Sequence, residues 1–253
     1  MKLGLKLWST NTDYYFDEAK RLYNEGWFDY IELYIVPNTI STIDKWKSLD
    51  IPFTLHAPHF MHDVNLANKF KEKTNYQLFL EVKEFFKILN AKYVVVHLGI
   101  EGIIEETIRQ LSAINLGEML IENKPFIAPT ADNLVCRGAT IEEITKVMNE
   151  LKCGFCLDIG HAICTANYLG INPYEFLNNF NTLTPTCYHL SDNYIDSQID
   201  KHLHLGDGNY DFIKILNIID TNINIAIETN KNSKSDLNDY ILDNIFLKRI
   251  INE

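Results

Sequence analysis

The chain has 253 residues and carries 23 lysines and arginines against 34 aspartates and glutamates, which gives a net charge of −11. This acidic balance disfavours a general nucleic-acid-binding protein, because such proteins contact phosphates through basic residues. Hydrophobic residues make up 46% of the chain and charged residues 23%, a composition that excludes a disordered chain and predicts a folded globular protein.

Short apolar runs alternate with longer segments of helical periodicity along the whole chain, which predicts βα units around a parallel sheet. The predicted strands are residues 3–8, 30–34, 53–56, 93–97, 119–122, 154–158, 186–190 and 225–228. The predicted helices are residues 13–24, 39–49, 76–89, 103–114, 141–151, 173–179, 212–219 and 237–251. The longest predicted loops follow strands three, five and seven. Eight such units predict an α/β fold, a single (β/α)8 TIM barrel in one domain over residues 1–253.

The first residues and the cysteines indicate where the protein resides. Residues 1–8 lead directly into acidic residues, without the long hydrophobic region or the cleavage site of a secretory signal, and no apolar run is long enough to span a bilayer. Five cysteines, an odd number, predict reduced thiols. Cys153 and Cys156 form a CxxC pair, but within a strand this spacing places the two side chains on opposite faces. We interpret them as core residues rather than a redox or zinc pair, and we expect a cytoplasmic protein with no membrane contact.

Ionisable side chains lie at or just beyond the ends of the later predicted strands. Because the C-terminal ends of barrel strands form one rim, these side chains are expected to converge on one site. They are five histidines, two aspartates and two glutamates: His56, His97, Glu122, Asp158, His161, His189, Asp200, His202 and Glu228. Imidazole and carboxylate groups in this proportion favour zinc, manganese or iron over calcium or magnesium, which prefer oxygen.

The acidic members of this set argue most strongly for a metal. A single histidine at a strand end is often a hydrogen-bonded residue with no ligand role. Glu122, Asp158 and Glu228 each end an apolar run, and an unpaired buried carboxylate is costly. Since lysine and arginine are nearly absent from the same segments, we expect a divalent metal as their partner. Zinc is the first choice and manganese the alternative, with one to three ions.

Several neighbouring residues are given lesser roles. The three tryptophans are expected in the core, two histidines are expected beside the ligands or at the surface, and two asparagines are expected to orient ligands by hydrogen bonds. The tryptophans are Trp8, Trp27 and Trp46. The histidines are His62 and His204, and the asparagines are Asn65 and Asn123. His204 is also an alternative to His202 as a ligand.

Seven segments carry a recognisable series of motifs. They are LHAPH (55–59), VVVHLG (94–99), LIENK (120–124), CLDIGHA (156–162), YHLSDN (188–193), DKHLHLGDGN (200–209) and IET (227–229). In this order they resemble the endonuclease IV family, a branch of the xylose isomerase-like TIM-barrel superfamily. The resemblance implies a zinc cluster of three ions. His56, His97 and Glu122 would hold one metal; Glu122 would bridge to a second held by Asp158, His189 and Glu228; a third would lie between His161, Asp200 and His202.

The sequence departs from the endonuclease IV pattern where that family contacts DNA. His59 stands in place of a tyrosine beside Phe60, and residues 35–38 contain no arginine. The rim loops offer few basic residues, which are Lys124, Arg137, Lys201 and Lys231. Because phosphate contacts dominate DNA affinity, duplex DNA is weakly supported as a partner, although bound metals would themselves attract phosphate.

The other branch of the superfamily comprises isomerases and epimerases of sugars and sugar phosphates. Its single metal site corresponds to Glu122, Asp158, His189 and Glu228, which leaves the other donors without a role. The resemblance implies that two glutamates move a proton next to a carbonyl through a metal-stabilised ene-diolate, with Glu122, Glu228 and His161 as the predicted catalytic residues. Our leading interpretation is a sugar or sugar-phosphate isomerase or epimerase. An endonuclease IV-like phosphodiesterase acting on abasic DNA and a non-catalytic metal-binding barrel are the alternatives.

Overall fold

The structure, a computed structural model, describes residues 1–128, 130 and 132–252. Eight parallel strands pair in chain order, and the last strand pairs with the first, so the sheet closes into a barrel. The strands are β1 (Lys2–Trp8), β2 (Tyr30–Tyr34), β3 (Phe53–His56), β4 (Val94–His97), β5 (Met119–Glu122), β6 (Gly154–Asp158), β7 (Cys187–Leu190) and β8 (Asn224–Ile227). The predicted (β/α)8 barrel is therefore confirmed. The single domain over residues 1–253 stays a prediction, and residues 129, 131 and 253 lie outside the described residues.

Helices follow the strands and cover the outside of the barrel. They are α1 (Phe16–Asn24), α2 (Ile43–Lys47), α3 (Glu72–Ile88), α4 (Ile104–Ile114), α5 (Ile141–Leu151), α6 (Ile159–Leu169), α7 (Pro173–Asn181), α8 (Phe212–Ile218) and α9 (Asn238–Asn252). The segments between a strand and its next α-helix are longest after β3, β5 and β7, as predicted. Among the described residues, no helix is both long and apolar enough to cross a membrane.

Each predicted strand agrees with the structure to within one residue at either end, whereas one helix escaped prediction. Helix α6 begins directly after β6 and precedes the predicted helix at 173–179, which is α7. Its residues Ile159, Ala162, Ile163 and Ala166 are all buried. A helix that is apolar on most sides lacks the amphipathic period on which sequence prediction depends.

Side chains alternate between the inside of the barrel and the helix layer, because successive residues of a strand face opposite ways. In β1, Leu3, Leu5 and Leu7 belong to the main hydrophobic core, whereas Lys6 faces the barrel interior beside Glu32 of β2. Gly4 leaves the room that the ring of Tyr30 occupies, since a Cβ atom there would lie 2.4 Å from that ring. The inward positions of the strands thus carry polar side chains to the mouth of the barrel.

The predictions for tryptophan and cysteine are partly correct. Trp46 is fully buried and Trp27 packs against the core. Trp8 is 52% exposed, so its assignment to the core is wrong: it is the last residue of β1 and reaches the open mouth of the barrel.

All five cysteines are free thiols, as predicted. Cys156 lies in the barrel interior beside Cys187, its partner on β7.

Candidate metal centre

All nine predicted donors lie at the C-terminal mouth of the barrel and form one connected cluster. Six of them end a strand or lie one residue from its end: His56, His97, Glu122, Asp158, His189 and Glu228. The ligand atoms of the cluster fall into three neighbouring groups. Because the donors come from six different strands and the loops that follow them, the closed barrel is what brings them together.

The first group is centred on one oxygen of Glu122. The Nε2 atoms of His56 and His97 each lie 3.0 Å from Glu122 Oε2, and all three side chains are buried. Burial lowers the pKa of His56, with a further contribution from the positive charge of Lys6, and burial lowers the pKa of His97 well below its usual value. Both imidazoles are therefore neutral near pH 7, which is the form that binds a metal.

The second group is centred on Nδ1 of His189. This atom lies 2.9 Å from Glu228 Oε2, 3.6 Å from Glu122 Oε2 and 3.9 Å from Asp158 Oδ2. Two ligands of a tetrahedral zinc ion, each about 2.1 Å from the metal, lie roughly 3.4 Å apart. The observed separations bracket that value, so these four side chains could hold one ion after small adjustments.

The third group joins α6 to the loop after β7. Asp200 Oδ2 lies 3.2 Å from Nε2 of His161 and 2.8 Å from Nε2 of His202. Burial lowers the pKa of each histidine, but nearby carboxylates outweigh it. Asp158 raises the pKa of His161 to about 9, and Asp200 raises the pKa of His202 to about 10. Nδ1 of His202 contacts the carbonyl oxygen of Glu228 at 2.7 Å, which leaves its Nε2 for a ligand role.

Asn123 and Asp158 hold the start of α6 in place. Asp158 is the N-cap of α6 and accepts a hydrogen bond from the backbone N–H of His161 at 2.7 Å. The side chain of Asn123 donates to the Asp158 carbonyl at 2.9 Å and accepts from the Asp158 N–H at 2.7 Å. These bonds agree with the predicted orienting role of Asn123, which stays a prediction. The same prediction for Asn65 is wrong, because its side chain bonds only to the backbone of Ala67 and Ile100 among the described residues.

Asp192 fixes the loop that supplies Asp200 and His202. Its Oδ2 accepts hydrogen bonds from the backbone N–H groups of Gly206 at 2.9 Å and Gly208 at 3.0 Å. A Cβ atom on Gly208 would lie 2.3 Å from a backbone oxygen, so the chain can pass this close only with glycine there.

The polar atoms that face one another in the cluster support a fit to a divalent metal. Nδ1 of His189, Oε2 of Glu228 and Oδ2 of Asp200 are buried and make no hydrogen bond within the described part of the chain. Unpaired buried polar atoms are costly, and a cation bound between them would compensate that cost. Five imidazoles and four carboxylates match the donor preference of zinc or manganese.

Two lysines inside the cluster correct the expectation that basic residues are nearly absent beside these acids. Nζ of Lys6 lies 2.5 Å from Glu228 Oε2 and 3.3 Å from Glu32 Oε1, and Nζ of Lys124 lies 3.8 Å from Glu122 Oε1. Burial raises the pKa of Glu122, but its interactions with His97, Lys124 and His189 hold it well below its usual range. Lys6 and Glu32 escaped prediction because they lie on the first two strands. A charged residue inside an apolar strand was the signal that could have found them.

A cavity of about 480 Å³ opens beside the cluster, within the size range of small-molecule sites. Of the nine donors, His56, His97, His202 and Glu228 line it, while Glu122 and His161 are not part of its described wall. The rest of the lining includes Lys6, Trp8, Asn11, Tyr34, His59, Asn230 and Lys231.

The remaining predicted histidines lie outside the donor groups. His62 Nδ1 is 2.7 Å from the hydroxyl of Tyr34. His204 Nδ1 is 3.0 Å from Asp243 Oδ2, and its Nε2 is 3.0 Å from the amide of Asn232. Both ring nitrogens of His204 are thus engaged away from the cluster, which favours His202 over His204 as the histidine donor on this loop.

Comparison with known proteins is consistent with this architecture. A family model described as xylose isomerase-like TIM barrel matches residues 28–249. The uncharacterised protein MJ1614 of Methanocaldococcus jannaschii is 27% identical over an alignment of 276 positions, which covers 97% of this chain and 98% of that protein.

Three solved structures show the same fold. A D-tagatose 3-epimerase-like protein superposes with a TM-score of 0.76 at 22% identity, covering 100% of this chain and 97% of its own. Endonuclease IV from Thermus thermophilus has a TM-score of 0.70 at 17% identity, covering 100% and 99%. The IolI protein with a bound zinc atom has a TM-score of 0.63 at 18% identity, covering 99% and 96%.

Proposed function

The chain belongs to the xylose isomerase-like TIM barrel family, and on that basis we propose that it is a divalent-metal-dependent isomerase or epimerase of a small sugar or sugar phosphate. One observation carries the proposal. The carboxylate of Glu228 faces a cavity of small-molecule size beside the donor cluster. Similarity to a D-tagatose 3-epimerase-like protein supports the same reaction class.

Glu228 is the side chain best placed to move a proton. It lines the cavity, and Lys6 and His189 hold its carboxylate from the other side. Burial raises its pKa, but Lys6 and His189 lower it well below the usual range, so Glu228 is ionised and able to accept a proton. A divalent metal held by Glu122, Asp158, His189 and Glu228 would supply a Lewis acid that polarises the substrate carbonyl. Glu122, enclosed by His56 and His97, would serve chiefly as a metal ligand.

Other polar side chains that line the cavity suit a hydroxylated substrate. Asn11, Asn230 and Lys231 are among them, and Trp8 adds a half-exposed indole. Amides and an ammonium can bind sugar hydroxyls, and the ammonium of Lys231 would also favour a phosphate group.

Two of the four basic residues predicted on the rim are engaged within the protein, whereas Lys201 is exposed. Arg137 is bound to Glu143 and to the carbonyl oxygens of Glu101 and Gly102, and Lys124 is buried against His161. Because DNA affinity depends on exposed basic side chains, this arrangement favours a small substrate.

A phosphodiesterase of the endonuclease IV type is the second candidate. The observation in its favour is the third donor group, His161, Asp200 and His202, for which an isomerase with one metal has no use. The fold similarity to endonuclease IV of Thermus thermophilus is compatible with this alternative but does not distinguish it.

The test is exchange of a substrate proton with solvent. Protein loaded with zinc or manganese would be incubated in D2O with a panel of ketoses and ketose phosphates, and loss of the proton next to the carbonyl would be followed by NMR. We expect exchange with at least one member of the panel, and none with chelator-treated protein. Incision of an abasic duplex without sugar exchange would make the phosphodiesterase the correct assignment.

A further inference from the structure

Four charged side chains form a closed ring at the base of the cavity. Lys6 Nζ contacts Glu32 Oε1 at 3.3 Å, and Glu32 Oε1 lies 2.9 Å from Nε2 of His189. Nδ1 of His189 lies 2.9 Å from Glu228 Oε2, which in turn lies 2.5 Å from Lys6 Nζ. Positive and negative groups alternate around the ring, and only Glu228 is substantially open to the cavity.

Glu32 is the member of this ring that has no place among the nine donors. It lies in the middle of β2, opposite Lys6 of β1, and its side chain has no exposed surface. Neither of its oxygens accepts a hydrogen bond from the described residues, so its ion-pair partners there are Lys6 and His189. Burial of an ionised carboxylate costs free energy, so Glu32 needs nearby positive charge to compensate that cost.

The two edges of the His189 ring face different partners. Nδ1 faces the carboxylates of Glu122, Asp158 and Glu228, whereas Nε2 faces Glu32. An unprotonated Nε2 would direct its lone pair at a carboxylate oxygen 2.9 Å away, which is repulsive. We therefore place the ring hydrogen on the Nε2 edge, where the contact with Glu32 is an ion pair and is not aligned as a hydrogen bond, and Nδ1 is left for the cluster.

We propose that Glu32 is a positioning residue for the metal centre: it fixes the orientation of the His189 ring so that Nδ1 is the ligand atom, while Lys6 balances the charges of Glu32 and Glu228. The proposal rests on the metal-binding part of the proposed function and is independent of the substrate. A carboxylate behind a histidine ligand holds the ring and strengthens the ligand, and loss of such a partner typically lowers metal affinity about 10- to 100-fold.

The direct test is NMR of the zinc-loaded protein labelled with ¹⁵N in its histidines. Long-range ¹H–¹⁵N correlations distinguish a nitrogen that carries hydrogen from one that binds metal. We expect His189 to carry hydrogen on Nε2 and to bind through Nδ1. Binding through Nε2 would overturn the proposal without any variant being needed.

Variants of Glu32 provide a second test, read out by zinc titration and by the zinc-dependent shift of the His189 signals. Glu32→Leu should weaken zinc binding at His189 about 10- to 100-fold. Glu32→Gln keeps an acceptor oxygen and nearly the same volume, so it should lose less affinity and should preserve the His189 orientation.

The matched control is Asn224→Leu. Asn224 is also a buried polar residue of the barrel interior, bonded to Tyr93 Oη at 3.0 Å, and it contacts none of the nine donors. Its replacement should leave zinc affinity unchanged. Wild-type affinity in Glu32→Leu, or an equal loss in Asn224→Leu, would contradict a specific role for Glu32. If Glu32→Leu does not fold, the zinc affinity of Glu32→Gln and the NMR spectrum of the wild type test the role of Glu32 instead. Because these measurements concern zinc alone, they can succeed even if the protein exchanges no sugar proton.

Discussion

The ammonium of Lys6 lies 2.5 Å from the carboxylate of Glu228, which joins the first strand of the barrel to the segment that follows the last. The contact lies in the donor cluster itself, because Glu228 also faces Nδ1 of His189. Positive charge from the chain and positive charge from a metal would therefore act on the same carboxylate.

Lys6→Met should destabilise the metal-free protein by about 3 kcal/mol, since removing one partner of a buried ion pair leaves an uncompensated charge. Zinc should restore more of the melting temperature in the variant than it adds to the wild type, because a bound cation replaces the missing ammonium. Thermal unfolding with and without zinc measures both effects.

Lys146→Met is the control for Lys6→Met. Lys146 pairs with Glu105 on the surface, where an ion pair is worth about 1 kcal/mol or less. If Lys6→Met melted like this control and gained nothing extra from zinc, Lys6 would have no role in balancing the cluster.

Glu228→Gln should reduce solvent exchange of the substrate proton by roughly 10²- to 10⁴-fold, the range typical of a lost general base. The fold should persist, because Lys6 keeps Glu32 as a partner. Exchange rates and melting curves would be compared with those of Glu105→Gln, a surface carboxylate outside the site. Unchanged exchange in Glu228→Gln would remove this residue from the mechanism.

Zinc binding should release protons from the third donor group. The pKa of His161 is raised to about 9 and that of His202 to about 10, so both are protonated at pH 7 in the metal-free protein. Both must lose a proton to bind zinc, and zinc affinity should rise between pH 6 and 8. Titration calorimetry in two buffers of different ionisation enthalpy counts the protons released.

The same shifts set the pH dependence of stability without metal. A histidine whose pKa in the folded protein lies above the ordinary value of about 6.5 stabilises the fold, and this contribution is complete below pH 6.5. It is lost as pH rises through about 9 for His161 and about 10 for His202. The melting temperature of chelated protein should fall over that interval. A flat profile together with zero proton release would mean that these histidines are neutral before zinc binds.

Trp8→Ala should raise the KM for substrate with little effect on stability. The indole is 52% exposed at the edge of the cavity, and its centroid lies 5.6 Å from that of Tyr34. An aromatic contact worth about 0.5–1.5 kcal/mol corresponds to about a 2- to 10-fold change. Tyr76→Ala, an exposed aromatic outside the cavity lining, is the control. An unchanged KM for Trp8→Ala would place the substrate elsewhere.

Strand positions could be predicted from the sequence because buried parallel strands are continuous apolar runs that end in turn signals. Most of the nine donors could be proposed for the same reason, since they end or closely follow such a run and the barrel closes them into one rim. The ion pair of Lys6 with Glu32 could not, because it depends on the register between β1 and β2. Similarly, the exposure of Trp8 depends on where the barrel mouth opens, which no local pattern encodes.

The central claim is that the nine donors assemble a centre for more than one metal ion. The first two donor groups share Glu122, and His161 of the third group lies 3.1 Å from Glu122 Oε1. Together the nine donors offer more ligand atoms than one ion can use. The most direct measurement is the metal content per chain of protein purified without chelator and then saturated with zinc. A centre of this kind predicts two or three zinc ions per chain; a single ion, which is all that the proposed isomerase site needs, or none would contradict it.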